Sequence, residues 1–113
     1  MPCQLIYLTD KPVRETGPNK RQDLRLSVDL GGASELDLVA TIYEGTDVTI
    51  RVLTGMHIES DIGWVAAGSD FDLTTAIPSV KQHITGLLRY VRWELVTSGT
   101  TTFTIAGMAR SLC

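Results

Sequence analysis

Glu35-Leu36-Asp37-Leu38-Val39-Ala40-Thr41-Ile42-Tyr43, then Glu44-Gly45-Thr46-Asp47, then Val48-Thr49-Ile50-Arg51-Val52-Leu53-Thr54-Gly55-Met56-His57-Ile58: this stretch decides the fold. Leu36, Leu38, Ala40 and Ile42 share one parity; Asp37, Val39, Thr41 and Tyr43 share the other. Such alternation marks a β-strand, because successive side chains leave opposite faces of the pleat. Residues 44–47 supply a turn. Beyond them Val48, Ile50, Val52, Thr54, Met56 and Ile58 keep one parity straight through Gly55. A two-residue hairpin at Thr54-Gly55 would reverse that parity. The pattern therefore predicts one long strand over 46–59, with Gly55 at a bulge or close approach. Ser60-Asp61-Ile62-Gly63 is the next turn, and the chain returns through Trp64-Val65-Ala66-Ala67.

Upstream, Leu24, Leu26, Val28 and Leu30 alternate with Asp23, Arg25, Ser27 and Asp29, predicting a half-buried strand over 22–30. Residues 9–21 hold Pro12, Gly17, Pro18 and several basic side chains and read as a loop or extended arm. Downstream, residues 68–75 read as loop with a short strand near Phe71 and Leu73. Residues 79–85 read as a helical turn or an edge strand after Pro78. Leu87, Arg89, Val91, Trp93 and Leu95 then form one strand face, Ser98-Gly99 a hairpin turn, and Phe103, Ile105, Gly107 and Ala109 the returning face. The expected fold is all-β: one domain over 1–113, an antiparallel two-sheet β-sandwich of about eight strands, with the jelly roll as a candidate arrangement. Apolar side chains on the second faces of 35–43 and 87–96 point to extra burial in an assembly.

Composition sets the outer bounds. The chain has 113 residues, 43% hydrophobic and 20% charged, which excludes disorder. Ten basic against thirteen acidic residues give a net charge of −3, which excludes a nucleic-acid binder driven by phosphate charge. No apolar run approaches the roughly 20 residues of a membrane span. The N-terminal residues lack the charged and apolar regions of a secretory signal, so the expected site of synthesis is the cytosol. Cys3 and Cys113 stand one at each end. They are either two unrelated thiols or partners in a disulfide, within the chain or between subunits, formed after release into an oxidising medium.

The motifs of catalysis are missing from the sequence. His57 and His83 fall outside His-x-x-x-His, Cys-x-x-Cys and Cys-x-x-His spacings, and neither Gly-x-Ser-x-Gly nor Gly-x-x-x-x-Gly-Lys occurs. The chain reads as a non-enzyme with no cofactor. Glu59, Asp61, Asp70 and Asp72 flank Trp64. Brought together they would suit a hard cation such as Ca²⁺; apart, they form a solvated rim. Arg89, Arg92 and Arg110 crowd the last strands beside Tyr90 and Trp93. They form either a recognition patch or stems over apolar surface with heads paired to carboxylates such as Glu94.

The run Leu87-Leu88-Arg89-Tyr90-Val91-Arg92-Trp93-Glu94, with Ser98-Gly99 and residues 103–110, resembles the closing hairpin of small tailed-bacteriophage virion proteins. Residues 46–64, ending Asp61-Ile62-Gly63-Trp64, are similar to the long strand and turn tryptophan of the same proteins. The resemblance implies a β-sandwich without catalytic residues, of the head-decoration (cement) type, located on the capsid surface. Its implied partners are the major capsid protein or other virion proteins and further copies of itself, with neither nucleic acid nor membrane. On that reading Lys11, Arg14, Lys20 and Arg21 of the 9–21 segment are the capsid or subunit contacts. Arg89-Tyr90-Val91-Arg92 is also similar to a core strand of discoidin-type jelly rolls. That similarity implies a carbohydrate-binding module using exposed aromatics such as Tyr43 or Trp64. A tail or baseplate component with the same sandwich is the third implication.

Overall fold

The structure is a computed structural model and describes residues 4–110. The strands are β1 (Gln4–Tyr7), β2 (Val13–Thr16), β3 (Asn19–Arg21), β4 (Val28–Asp29), β5 (Glu35–Glu44), β6 (Asp47–Gly55), β7 (Val65–Thr74), β8 (Ser79–Ile84), β9 (Tyr90–Thr97) and β10 (Thr100–Arg110). They form two antiparallel sheets. In sheet I, β10 lies between β5 and an outer row made of β1 and β2, and β8 pairs with the far side of β5. In sheet II, β9 lies between β6 and an outer row made of β3 and β4, and β7 closes the far edge.

β1 and β2 lie end to end along β10, against residues 106–109 and 100–103. β3 and β4 repeat the arrangement along β9. Counting each broken row as one strand leaves eight, ordered 1-8-3-6 in sheet I and 2-7-4-5 in sheet II. That is the double Greek key of a jelly roll. The inward parities predicted for 35–43 and for 87–95 meet between the sheets. Leu36, Leu38, Ala40 and Ile42 face Val48, Ile50, Val52, Phe71, Leu73, Val91 and Leu95 in one buried core. Trp93 and Phe103 cross the gap edge to face, with ring centroids 5.0 Å apart. Burying each large side chain contributes about 1.5–3 kcal/mol.

Several local expectations give way to longer-range contacts. Residues 22–30 are not one strand: a 3₁₀ turn over Leu24–Leu26 precedes the two-residue β4. Asp23 caps that turn by accepting from the Arg25 amide at 2.9 Å. Gln22, buried, donates to the Leu8 and Leu26 carbonyls and accepts from the Trp93 amide, so the backbone bends around a satisfied polar side chain. Leu26 is consequently 65% exposed while Leu30 is buried. The long strand stops at Gly55 rather than 59. A Cβ there would lie 3.0 Å from the Trp64 ring, so Gly55 is the expected close approach and Trp64 caps the strand end.

The irregularity in this pair lies on β7, not at Gly55. Ile50 pairs with Phe71 and Val52 with Ala67, leaving two extra residues on β7. Gly68, at φ +73, carries that bulge, and its glycine suggested a loop where the strand continues. Residues 79–84 take the edge-strand alternative. Ser98-Gly99 does not close a hairpin. β9 is already flanked by β6 and the β3/β4 row, so the chain crosses to the other sheet. The 9–21 segment is not a free arm. β2 joins sheet I and β3 joins sheet II, with the Gly17 amide bonded to the Gly99 carbonyl between them.

Candidate interaction surfaces

The middle of the outer face of sheet II is covered by the chain itself. Arg92 and Glu94 point away from the core by parity, yet they are 1% and 5% exposed. The β6–β7 connection folds back over Arg92. The Trp64 ring lies 4.8 Å from the Arg92 guanidinium carbon, and its indole N–H donates to the Ser60 carbonyl at 2.9 Å. Arg92 donates through Nη2 to Asp61 Oδ1 at 2.6 Å and through Nη1 to the Gln22 carbonyl at 3.3 Å. Its Nε is buried without a protein partner. Arg21 reaches the same loop, donating to the Asp61 carbonyl at 3.3 Å.

A row of alternating charge continues across this face. Glu94 accepts from Arg21 and from Arg51, each at 2.8 Å, and Arg51 also clasps both oxygens of Asp70 at 3.0 and 3.2 Å. Burial opposes ionisation of Glu94, but the hydrogen bonds and charges of Arg21 and Arg51 outweigh it and hold its carboxyl below the ordinary range. The hydrogen bonds to Asp70 raise Arg51 above its ordinary value.

Sheet I is open on its outer side. Leu5 stands opposite Met108; Tyr7 stands opposite Ala106, which stands opposite Val39. Tyr43 shares a hydrogen bond with Thr104 at 3.2 Å on the same face. Leu5, Tyr7, Val39, Tyr43 and Met108 are 64, 57, 41, 63 and 37% exposed, forming an apolar stripe over β1, β10 and β5. Charged pairs flank it. His83 Nδ1 lies 2.7 Å from Asp37 Oδ1, Arg110 lies 2.9 Å from Asp37 Oδ2, and Arg14 bonds Glu44 at 3.0 Å. Hydrogen bonding from His83 lowers the Asp37 carboxyl despite partial burial, with Arg110 adding to the effect.

A third feature lies where the 30–34, 56–64 and 85–89 connections meet. Met56, Leu87, Leu88 and Arg89 border a cleft of about 540 Å³ with Gly31 to Ser34 opposite. Arg89 donates to Asp29 at 3.2 Å and its guanidinium carbon lies 5.1 Å from the Tyr90 ring.

The residues singled out from sequence are scattered over these surfaces. Asp61 and Asp70 go to different arginines, Asp72 accepts from Thr49 at 3.3 Å, and Glu59 projects beside His57 at 3.9 Å. These four carboxylates do not converge, and no metal-binding cluster forms among the described residues. Arg92 and Arg110 lie on different sheets, so the arginines make separate pairs rather than one patch. Arg14 and Arg21 are engaged in intramolecular pairs on sheets I and II, while Lys11 and Lys20 are exposed. Trp64 is buried, which removes it as a ligand platform. Cys3 and Cys113 lie outside the described residues. Sequence reasoning missed Gln22 as a buried hub. The nearest signal was a lone glutamine next to a run of alternating leucines.

Fold and surfaces together define the class: a jelly-roll β-sandwich with one outer face self-covered at its middle and the other open. No family model, curated protein or solved structure matches the chain. No helix among the described residues is long and apolar enough to cross a membrane.

Proposed function

We propose that this chain is a non-enzymatic structural protein of a virus particle, a decoration protein bound to the head shell of a tailed bacteriophage. The observation that carries the reading is the contrast between its outer faces. On sheet II the outward Arg92 and Glu94 are buried under the chain's own loop and ion pairs, while sheet I leaves five large apolar side chains in solvent along one stripe. Contiguous exposed apolar surface on a soluble domain marks a surface meant to be covered. A rigid sandwich suits repeated display on a lattice, where many weak contacts sum through avidity. The likeness of residues 46–64 and 87–110 to small virion proteins supplies the class of assembly.

Arg14 and Arg21 pair with Glu44 and Glu94, and the sheet I stripe joins Lys11, Arg14, Lys20 and Arg21 as a proposed contact with the shell or with further copies. A glycan-binding reading keeps one supporting observation, the exposed Tyr43 ring on that stripe. Quantitative mass spectrometry of purified particles tests the proposal. Copies in fixed ratio to the major shell protein support decoration, and a handful per particle moves the protein to tail or baseplate. Absence from particles, with glycan-array binding that is lost on Tyr43→Ala, replaces the virion reading with the module.

A further inference from the structure

We infer that the outer face of sheet I is the surface through which two copies of this chain associate, sheet against sheet. The inference rests on the structural-protein reading and names one partner for its open face. Among the described residues, the stripe of Leu5, Tyr7, Val39, Tyr43 and Met108 crosses three adjacent strands without a covering loop. Around it three basic side chains, Arg14, Lys81 and Arg110, balance three acidic ones, Glu35, Asp37 and Glu44. The face therefore carries no net charge in a chain whose total is −3. Two copies that repel as wholes meet least opposition there.

Size and shape agree. The four strand rows hold about eight, eleven, ten and six residues; at roughly 3.4 Å per residue and about 4.8 Å between rows they cover about 570 Å². Two such faces bury about 1,100 Å², above the roughly 1,000 Å² that a specific interface must clear. A two-fold contact uses the same patch on both copies, so one self-complementary stripe suffices. Packed sheets lie about 10 Å apart, a gap that side chains of Tyr, Met and Val size fill by interdigitation.

Sedimentation of the full chain under reducing conditions, from about 1 to 500 μM, tests this by the dissociation constant it yields. The expected result is a concentration-dependent dimer. Val39→Lys and Tyr7→Lys weaken it at least tenfold while tryptophan fluorescence and circular dichroism stay native. Ile62→Lys, at the most exposed large apolar residue outside sheet I, leaves it unchanged. A wild type that stays monomeric throughout, or a dimer indifferent to both sheet I variants, overturns the inference. Particle copy number is read independently. A monomer in solution that still decorates particles, and is lost from them on Val39→Lys, assigns the face to the shell and also overturns self-association.

Discussion

Val39 on β5 and Arg92 on β9 both point away from the core, one from each sheet, yet one is 41% exposed and the other 1%. The sequence of β9 puts Tyr90, Arg92, Glu94 and Val96 on its outer side; that of β5 puts Asp37, Val39, Thr41 and Tyr43 there. Apolar side chains on these second faces pointed to extra burial in an assembly. In sheet II the chain itself buries the charged Arg92, where a nine-residue connection after Gly55 ends in Trp64 and lays the indole over its guanidinium. Among the described residues, sheet I has no such connection over β5 and β10. The lesson is that outward parity sets a side chain's direction, and loop length elsewhere decides whether it meets water.

The largest effect expected from breaking this contrast is at Arg92. Arg92→Ala removes the stem beneath Trp64 and the partners of Asp61 and the Gln22 carbonyl. A cost of about 2–4 kcal/mol in urea unfolding is expected, mostly from lost packing since Asp61 remains solvated. An unchanged midpoint would show that the loop contributes nothing to the fold. Trp64→Phe keeps an aromatic cover but loses the hydrogen bond to Ser60, at an expected cost of about 1–2 kcal/mol. Hydrogen exchange measured in the 56–63 segment should rise in this variant.

Glu94→Gln probes the charge row and gives it a pH signature. The Glu94 carboxyl is lower in the folded chain than in the unfolded one. The unfolded state therefore binds more protons as pH falls through the ordinary carboxylate range near 4.3, and stability declines with acidification below about pH 5. Glu94→Gln should cost about 1–2 kcal/mol at neutral pH and flatten that acid decline. Asp37, lowered by His83 and Arg110, carries the same sign on the other sheet and keeps part of the slope. The smallest effect is on sheet I: Val39→Thr in the isolated chain should shift stability by less than about 0.5 kcal/mol. A larger loss would mean that this face is already covered in the free protein.

Much of the core was readable. Leu36, Leu38, Ala40, Ile42, Val48, Ile50 and Val52 are buried as their parity predicts, because a one-residue slip would turn a whole strand inside out. The interaction surfaces were less so. Trp64 read as a turn tryptophan, and its contact with Arg92 joins residues 28 apart in sequence. Arg21 and Glu94 read as arm and strand residues, and only pairing of β3 with β9 brings them together.

What the sequence determined by itself was local: which segments alternate, where Gly and Pro interrupt them, and therefore an all-β chain with one core. Alternation survives in any sheet because it reports only a strand's own two faces. Sheet membership was a tertiary decision. Ser98-Gly99 reads as a hairpin, and becomes a crossing between sheets because both sides of β9 are taken by strands from far along the chain. Hydrogen-bond partners of a strand are chosen by all strands competing at once, and no local segment encodes the result of that competition.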